Sequence, residues 1–147
     1  MSQNEFILTY RKLIMPDDLN HAKTLFGGRL LQWADEAAVL YAMCQTGSKS
    51  LVTLKMSEVL FKNPAHSGDV IEFWTKKSKI GNSSLGVECI VVRKDFDSPQ
   101  SNPKPPLTDN TGKVNTTKNI ILSCDFSFVN LGTNGKPESH RLAGTSN

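Results

Sequence analysis

The sequence predicts an α+β fold with one long helix and an antiparallel sheet of about five strands. Three observations lead there. A single stretch, residues 26–45, repeats apolar residues at helical spacing; about five other stretches alternate apolar and polar residues; and Ile80-Gly81-Asn82-Ser83 has the turn chemistry of a hairpin.

The first strand is expected over residues 5–13, where Phe6, Leu8 and Tyr10 alternate with Ile7, Thr9 and Arg11. Pro16, Asp17, Asp18 and Asn20 break that pattern. The helix is expected from Phe26 or Gly27 to Gln45, with Thr46-Gly47 as its stop. In the next strand Val52, Leu54 and Met56 share one parity and Val59 and Phe61 the other, so a bulge or bend is expected near Ser57 and Glu58. After the turn at Pro64 and Ser67-Gly68-Asp69, residues 70–79 and 84–94 form the hairpin. The last strand is the clearest: Ile120, Leu122, Cys124, Phe126 and Phe128 oppose Ser123, Asp125 and Ser127.

At 147 residues the chain fits one domain, 1–147, able to bury about two-thirds of its unfolded surface without disulfides or metals. Residues 95–117, with Pro99, Pro103, Pro105 and Pro106 among many Ser, Asn and Asp, are expected to form a mobile polar loop. Residues 133–147 read as a loose tail after the turn at Gly132.

The net charge of +3 is spread along the chain, and no aromatic-basic motif suggests nucleic acid. Cys44, Cys89 and Cys124 lack CxxC spacing, which favours neither a disulfide framework nor zinc; all three are expected as buried thiols in a reducing cytoplasm. His21, His66 and His140 lack ligand spacing, so no metal is expected. There is no GxSxG, and no apolar run approaches the roughly 20 residues of a membrane span.

The helix carries adjacent acids. At 100° per residue Glu36 joins Arg29 and Gln32 on a polar stripe, whereas Asp35 lies on the ridge of Leu31, Ala38, Val39 and Ala42. Asp35 is therefore expected to be partly withdrawn from water. It is either a structural partner across an interface or a carboxylate working at a cleft wall as general base or nucleophile. Gly27 and Gly28 stand where a helix start offers unpaired N–H groups to an anion or a developing oxyanion. Eight residues at about 1.5 Å each separate Gly27 from Asp35 by about 12 Å, too far for one helix to place both on one carbon. Either a substrate runs along the helix, or a second chain supplies part of the site.

These residues, Asn20 followed by Phe26-Gly27-Gly28 and then Asp35, resemble the signature of the hotdog-fold acyl-CoA thioesterases. Phe61-Lys62-Asn63-Pro64 with Gly68-Asp69, the hairpin around Ile80 to Lys94, and Phe128-Val129-Asn130-Leu131-Gly132 extend the resemblance over about residues 5–138. It implies a long central helix wrapped by an antiparallel sheet, and two subunits joining sheets side by side, with a dimer, tetramer or hexamer left open. The implied activity is acyl-CoA hydrolysis at the dimer interface, with coenzyme A as part of the substrate and no separate cofactor. Asp35 is then the general base or nucleophile, Asn20 of the partner subunit positions water or carbonyl, and Gly27 or Gly28 supplies the oxyanion N–H. Lys76, Lys77, Lys79, Ser83, Ser84 and Arg93 are candidates for the coenzyme A phosphates. The alternative is a non-catalytic acyl-CoA sensor or scaffold. Related hotdog dehydratases use a histidine with an acid; His21 reads instead as a polar loop residue.

The sequence departs from the family pattern at Lys23, where glycine is usual, at Ser57, where aspartate is common, and at His140-Arg141, which replaces Val-Pro. The first bears on the loop beside Asn20, the second on substrate placement.

Overall fold

The computed structural model describes residues 5–96 and 119–144. Its elements are β1 (Ile7–Leu13), a 3-10 turn (Pro16–Asp18), α1 (Gly27–Thr46), β2 (Leu51–Phe61), β3 (Val70–Ile80), β4 (Ser84–Arg93) and β5 (Ile120–Asn130). The strands form one antiparallel sheet in the order β1-β3-β4-β5-β2. α1 lies across one face and touches every strand.

The helix forms where its apolar residues recur at three- and four-residue steps. Leu30, Trp33, Ala34, Ala37, Ala38, Tyr41 and Ala42 are buried against the sheet. Its alanines let the backbone approach closely, while Trp33, Phe73, Phe126 and Phe128 fill the space to either side. Burying each such large side chain contributes about 1.5–3 kcal/mol. Gly47 ends α1 in the left-handed region (φ 72°) and its N–H returns to Met43 O at 2.8 Å.

The bulge expected at Ser57 and Glu58 is present. The β2–β5 register shifts between Ser57 and Leu60, and Glu58 takes φ 52°, the conformation that inserts an extra residue. A second shift lies between Thr53 and Lys55. β2 is an edge strand, with β5 on one side and no described strand on the other. Its Val52, Leu54, Met56, Leu60 and Phe61 are all exposed, Leu54 by 67%.

Two expectations change. Cys89 and Cys124 are buried and face each other across β4 and β5, but Cys44 is exposed, one turn beyond the exposed Leu40. The tail as far as residue 144 is also not loose. Glu138 N–H donates to Asn130 O (2.8 Å), the Asn130 amide donates to Glu138 O (3.0 Å), and the buried His140 bonds Ser84 O through Nε2 (2.7 Å). Arg141 packs over Gly47, where a Cβ would come within 3.2 Å of its guanidinium carbon; its charge suits a helix C-terminus. Polar composition misled here because these groups pair with strand-end backbone instead of water. Apart from Asp95 and Phe96, the 95–117 loop lies outside the described residues, as do residues 145–147. Among the described residues no helix is long and apolar enough to cross a membrane.

Candidate active site

Phe26 occupies the N-cap of α1, and its side chain makes no capping hydrogen bond. The first helical amides, those of Gly27 and Gly28, therefore have neither an intrahelical acceptor nor a capping side chain. The glycines also serve packing: a Cβ on Gly27 would sit 3.3 Å from the Phe61 ring, and one on Gly28 would sit 3.1 Å from the Phe26 ring. Beside this helix start opens a cleft of about 330 Å³ whose lining includes Asn20, Thr24, Gly27, Leu30, Phe61 and Lys62. Its size is at the lower end for small-molecule sites.

Asn20 is held in a tight turn. Its Oδ1 accepts from the backbone N–H of Ala22 (2.8 Å) and Thr24 (3.2 Å), and its Nδ2 donates to Thr24 Oγ1 (3.0 Å). Lys23, the departure from glycine, adopts φ 66° in this turn and so carries a conformation that glycine would adopt without strain.

Asp35 is half-buried on the side of α1 facing β2, and Thr53 Oγ1 donates to its Oδ1 at 2.7 Å. Glu36 is exposed, in keeping with its polar stripe. The Thr53 partnership was not read from the sequence. Sequence parity gave no signal for it, because the apolar Val52, Leu54 and Met56 look like the core-facing set and are instead exposed. Beneath this pair, burial first, then the charges of Asp125 and Asp35, push the Cys124 thiol up to about 11.

Asn20 and Gly27 thus share one cleft, and Asp35 is not part of its lining. One protomer does not unite them. Asp35 meets β2 at Thr53, whereas Phe61 at the other end of β2 packs against Gly27.

The basic candidates occupy separate environments. Lys76 pairs with Glu88 (3.2 Å) and lies 4.8 Å from the Phe6 ring centroid, whereas Lys77 is buried on the helix side with its Nζ donating to Gln45 Oε1 (2.9 Å). Strand alternation sends these neighbours to opposite faces, a signal present in the sequence. Lys79 and Ser84 line a second cleft of about 220 Å³ with Ser57, Asp125 and Ser127. Ser83 accepts the Asn130 N–H through its carbonyl (2.7 Å). Arg93 donates to Pro64 O (2.5 Å) and Asp69 Oδ2 (3.2 Å); Pro64 lines the first cleft, so Arg93 braces its wall. His21 is exposed, and among the described residues no three His, Cys, Asp or Glu side chains come together as a metal site.

Several known proteins are similar to this chain. Mouse acyl-coenzyme A thioesterase 11 is 33% identical over 87 residues, which are 59% of this chain and 14% of that protein. The Helicobacter pylori protein VdlD is 28% identical over 137 residues, covering 92% of this chain and 66% of its own length. The chain thus spans less than two-thirds of either relative. The hexameric hotdog-fold thioesterase Cj0915 of Campylobacter jejuni superposes with a TM-score of 0.69 at 26% identity, over 95% of this chain and 92% of that one. The long helix on a five-stranded antiparallel sheet is the hotdog fold. The thioesterase superfamily model matches residues 22–98, a span that contains Gly27, Gly28, Asp35 and Thr53, and the chain belongs to that superfamily.

Proposed function

We propose that the protein hydrolyses acyl-CoA thioesters at a site shared between two copies of the chain. The observation that carries this reading is the placement of Asp35. Its carboxylate is bonded by Thr53 beside a sheet edge that has no further strand among the described residues, while the donors suited to a thioester oxygen, Asn20 and the α1 start, sit in a separate cleft. Antiparallel pairing of two β2 edges would cover Val52, Leu54, Met56 and Phe61 and bring one subunit's Asp35 towards its partner's Asn20 cleft. The resemblance to acyl-CoA thioesterases and the hexameric relative support both the substrate and an assembly beyond the dimer.

In this reaction water adds to the acyl carbon, the C–S bond breaks, and the thiolate leaves as coenzyme A after protonation. Asp35 acts through Oδ2, the oxygen not taken by Thr53, either by removing the water proton or by attacking the acyl carbon to form an anhydride that water then opens. The N–H groups of Gly27 or Gly28, with Asn20, stabilise the oxyanion; each such donor contributes about 3–4 kcal/mol to the transition state. Coenzyme A is part of the substrate, and no separate cofactor enters. We place the protein in the cytoplasm, where its three unpaired cysteines would stay reduced. Of the phosphate candidates, Arg93 is bonded to Pro64, which lines the Asn20 cleft.

The test follows free thiol release from acyl-CoAs of graded chain length, in the wild type and in Asp35→Ala. Turnover lost in Asp35→Ala with retained folding supports the reading. Coenzyme A binding without turnover at any chain length identifies a sensor instead. Single turnover in ¹⁸O-water identifies attack by Asp35 when label enters its carboxylate, which a general base never acquires and an anhydride opened at the aspartyl carbon does.

A further inference from the structure

The loop that presents Asn20 limits what its amide can do. Oδ1 already accepts two backbone N–H groups, from Ala22 at 2.8 Å and Thr24 at 3.2 Å, which fills the two acceptor directions of an amide oxygen, and the Thr24 hydroxyl lies a further 3.3 Å from it. Of the two Nδ2 hydrogens, one goes to Thr24 Oγ1 at 3.0 Å. The other is the group's spare hydrogen-bonding capacity, and Asn20 lines the cleft together with Thr24 and Gly27.

Backbone N–H groups alone leave the amide torsion soft, because rotation about an sp³–sp² bond has broad wells. The Thr24 hydroxyl restricts it. Thr24 is placed in turn by the closed backbone of the turn, in which Asn20 N–H donates to Thr24 O (2.7 Å) and Lys23 N–H to Asn20 O (3.1 Å).

We propose that Thr24 is a positioning residue: the Ala22 and Thr24 N–H groups set which end of the Asn20 amide is oxygen, the Thr24 hydroxyl, in reach of both amide atoms, holds its torsion, and Asn20 then serves the reaction as a hydrogen-bond donor to the thioester oxygen. This rests on the hydrolase reading above and sharpens it, because an amide oxygen already saturated by backbone cannot also accept a bond from the attacking water.

Acyl-CoA turnover and thermal melting of the full chain are measured for Thr24→Val, Thr24→Ser, Asn20→Ala, Asn20→Asp and the Asn20→Ala/Thr24→Val double variant. Thr24→Val is expected to lower kcat about tenfold with KM changed less than about twofold, the size of one misaligned transition-state contact. Thr24→Ser restores kcat to within about twofold. Asn20→Asp keeps an acceptor for the turn but has no N–H, so it melts like the wild type and loses as much kcat as Asn20→Ala. The double variant is no slower than Asn20→Ala, since Thr24 acts through Asn20.

Normal kcat in Thr24→Val beside a crippled Asn20→Ala overturns the positioning role alone. A double variant slower by the product of both losses, or failure of Thr24→Ser to rescue while it melts normally, does the same. An Asn20→Asp variant as active as the wild type overturns the donor assignment. Normal turnover in Asn20→Ala removes Asn20 from the site, and the hydrolase arrangement fails with it.

Discussion

Thr53 Oγ1 lies 2.7 Å from Asp35 Oδ1, joining the edge strand β2 to the middle of α1. A hydroxyl donating to a carboxylate holds one oxygen in place and leaves the second outside that bond. Hydrogen bonds to charged groups contribute about 1.5–3 kcal/mol. Thr53→Val is therefore expected to lower kcat about 10- to 100-fold, with Thr53→Ser close to wild type and Asp35→Asn inactive. Steady-state kinetics with one well-used acyl-CoA measures all three.

The open β2 edge gives a second expectation. Val52 and Leu54 are 44% and 67% exposed on a strand with one described neighbour. Lysines at edge positions oppose strand pairing, so Val52→Lys/Leu54→Lys is expected to be monomeric by light scattering, to keep its helical circular dichroism, and to lose turnover. A monomer of full activity would remove the shared site.

Lys23 at φ 66° leads to a third. An L-residue in the left-handed region costs about 1–2 kcal/mol, and glycine returns part of that through unfolded-chain entropy, about 0.4–1 kcal/mol. Lys23→Gly should gain about 0.5–1 kcal/mol net, about 2 °C in Tm, read by thermal denaturation.

The thiols differ in exposure. Cys44 is exposed, whereas Cys89 and Cys124 are buried. Burial, then the charges of Asp125 and Asp35, hold Cys124 at about 11 against an ordinary 9.0, so stability from its protonated form is complete below the ordinary value and lost as pH rises towards 11. At pH 7.5 a disulfide reagent is expected to titrate one thiol rapidly in the native protein and three in denaturant, with Cys44→Ser abolishing the rapid phase.

Asp125, burdened first by burial and then by the charges of Glu88 and Glu58, has its carboxyl raised above the ordinary range. A raised folded value means that its contribution is complete below the ordinary carboxylate range and is lost as pH rises. Asp125→Asn should therefore raise Tm at pH 7, and the gain should vanish as pH falls below about 3.8, the ordinary carboxylate value. A gain of equal size at both pH values would show that charge is not its cause.

Much of the scaffold was legible because periodicity is local. The helix limits, the parity switch at Ser57 and Glu58, and the alternation of β5 each follow from neighbouring residues and were found where expected. Lys76 and Lys77 were grouped by proximity along the chain, although a strand separates neighbours by face. The order of the tail is not legible in the sequence because Glu138 and His140 look like solvated residues until Asn130 at the end of β5 and Ser84 at the start of β4 supply their partners.

The sequence by itself determined the helix, the separation of Asp35 from Glu36, and the glycines at the helix start, since each depends on spacing within one element. Only the tertiary structure decided that Thr53 meets Asp35, that the Asn20 amide oxygen is taken up by its own turn, and that Asp35 does not line the cleft that holds Asn20. Those contacts depend on how α1 crosses the sheet and how the 20–25 turn closes, and side chains from different elements meet only when packing fixes both.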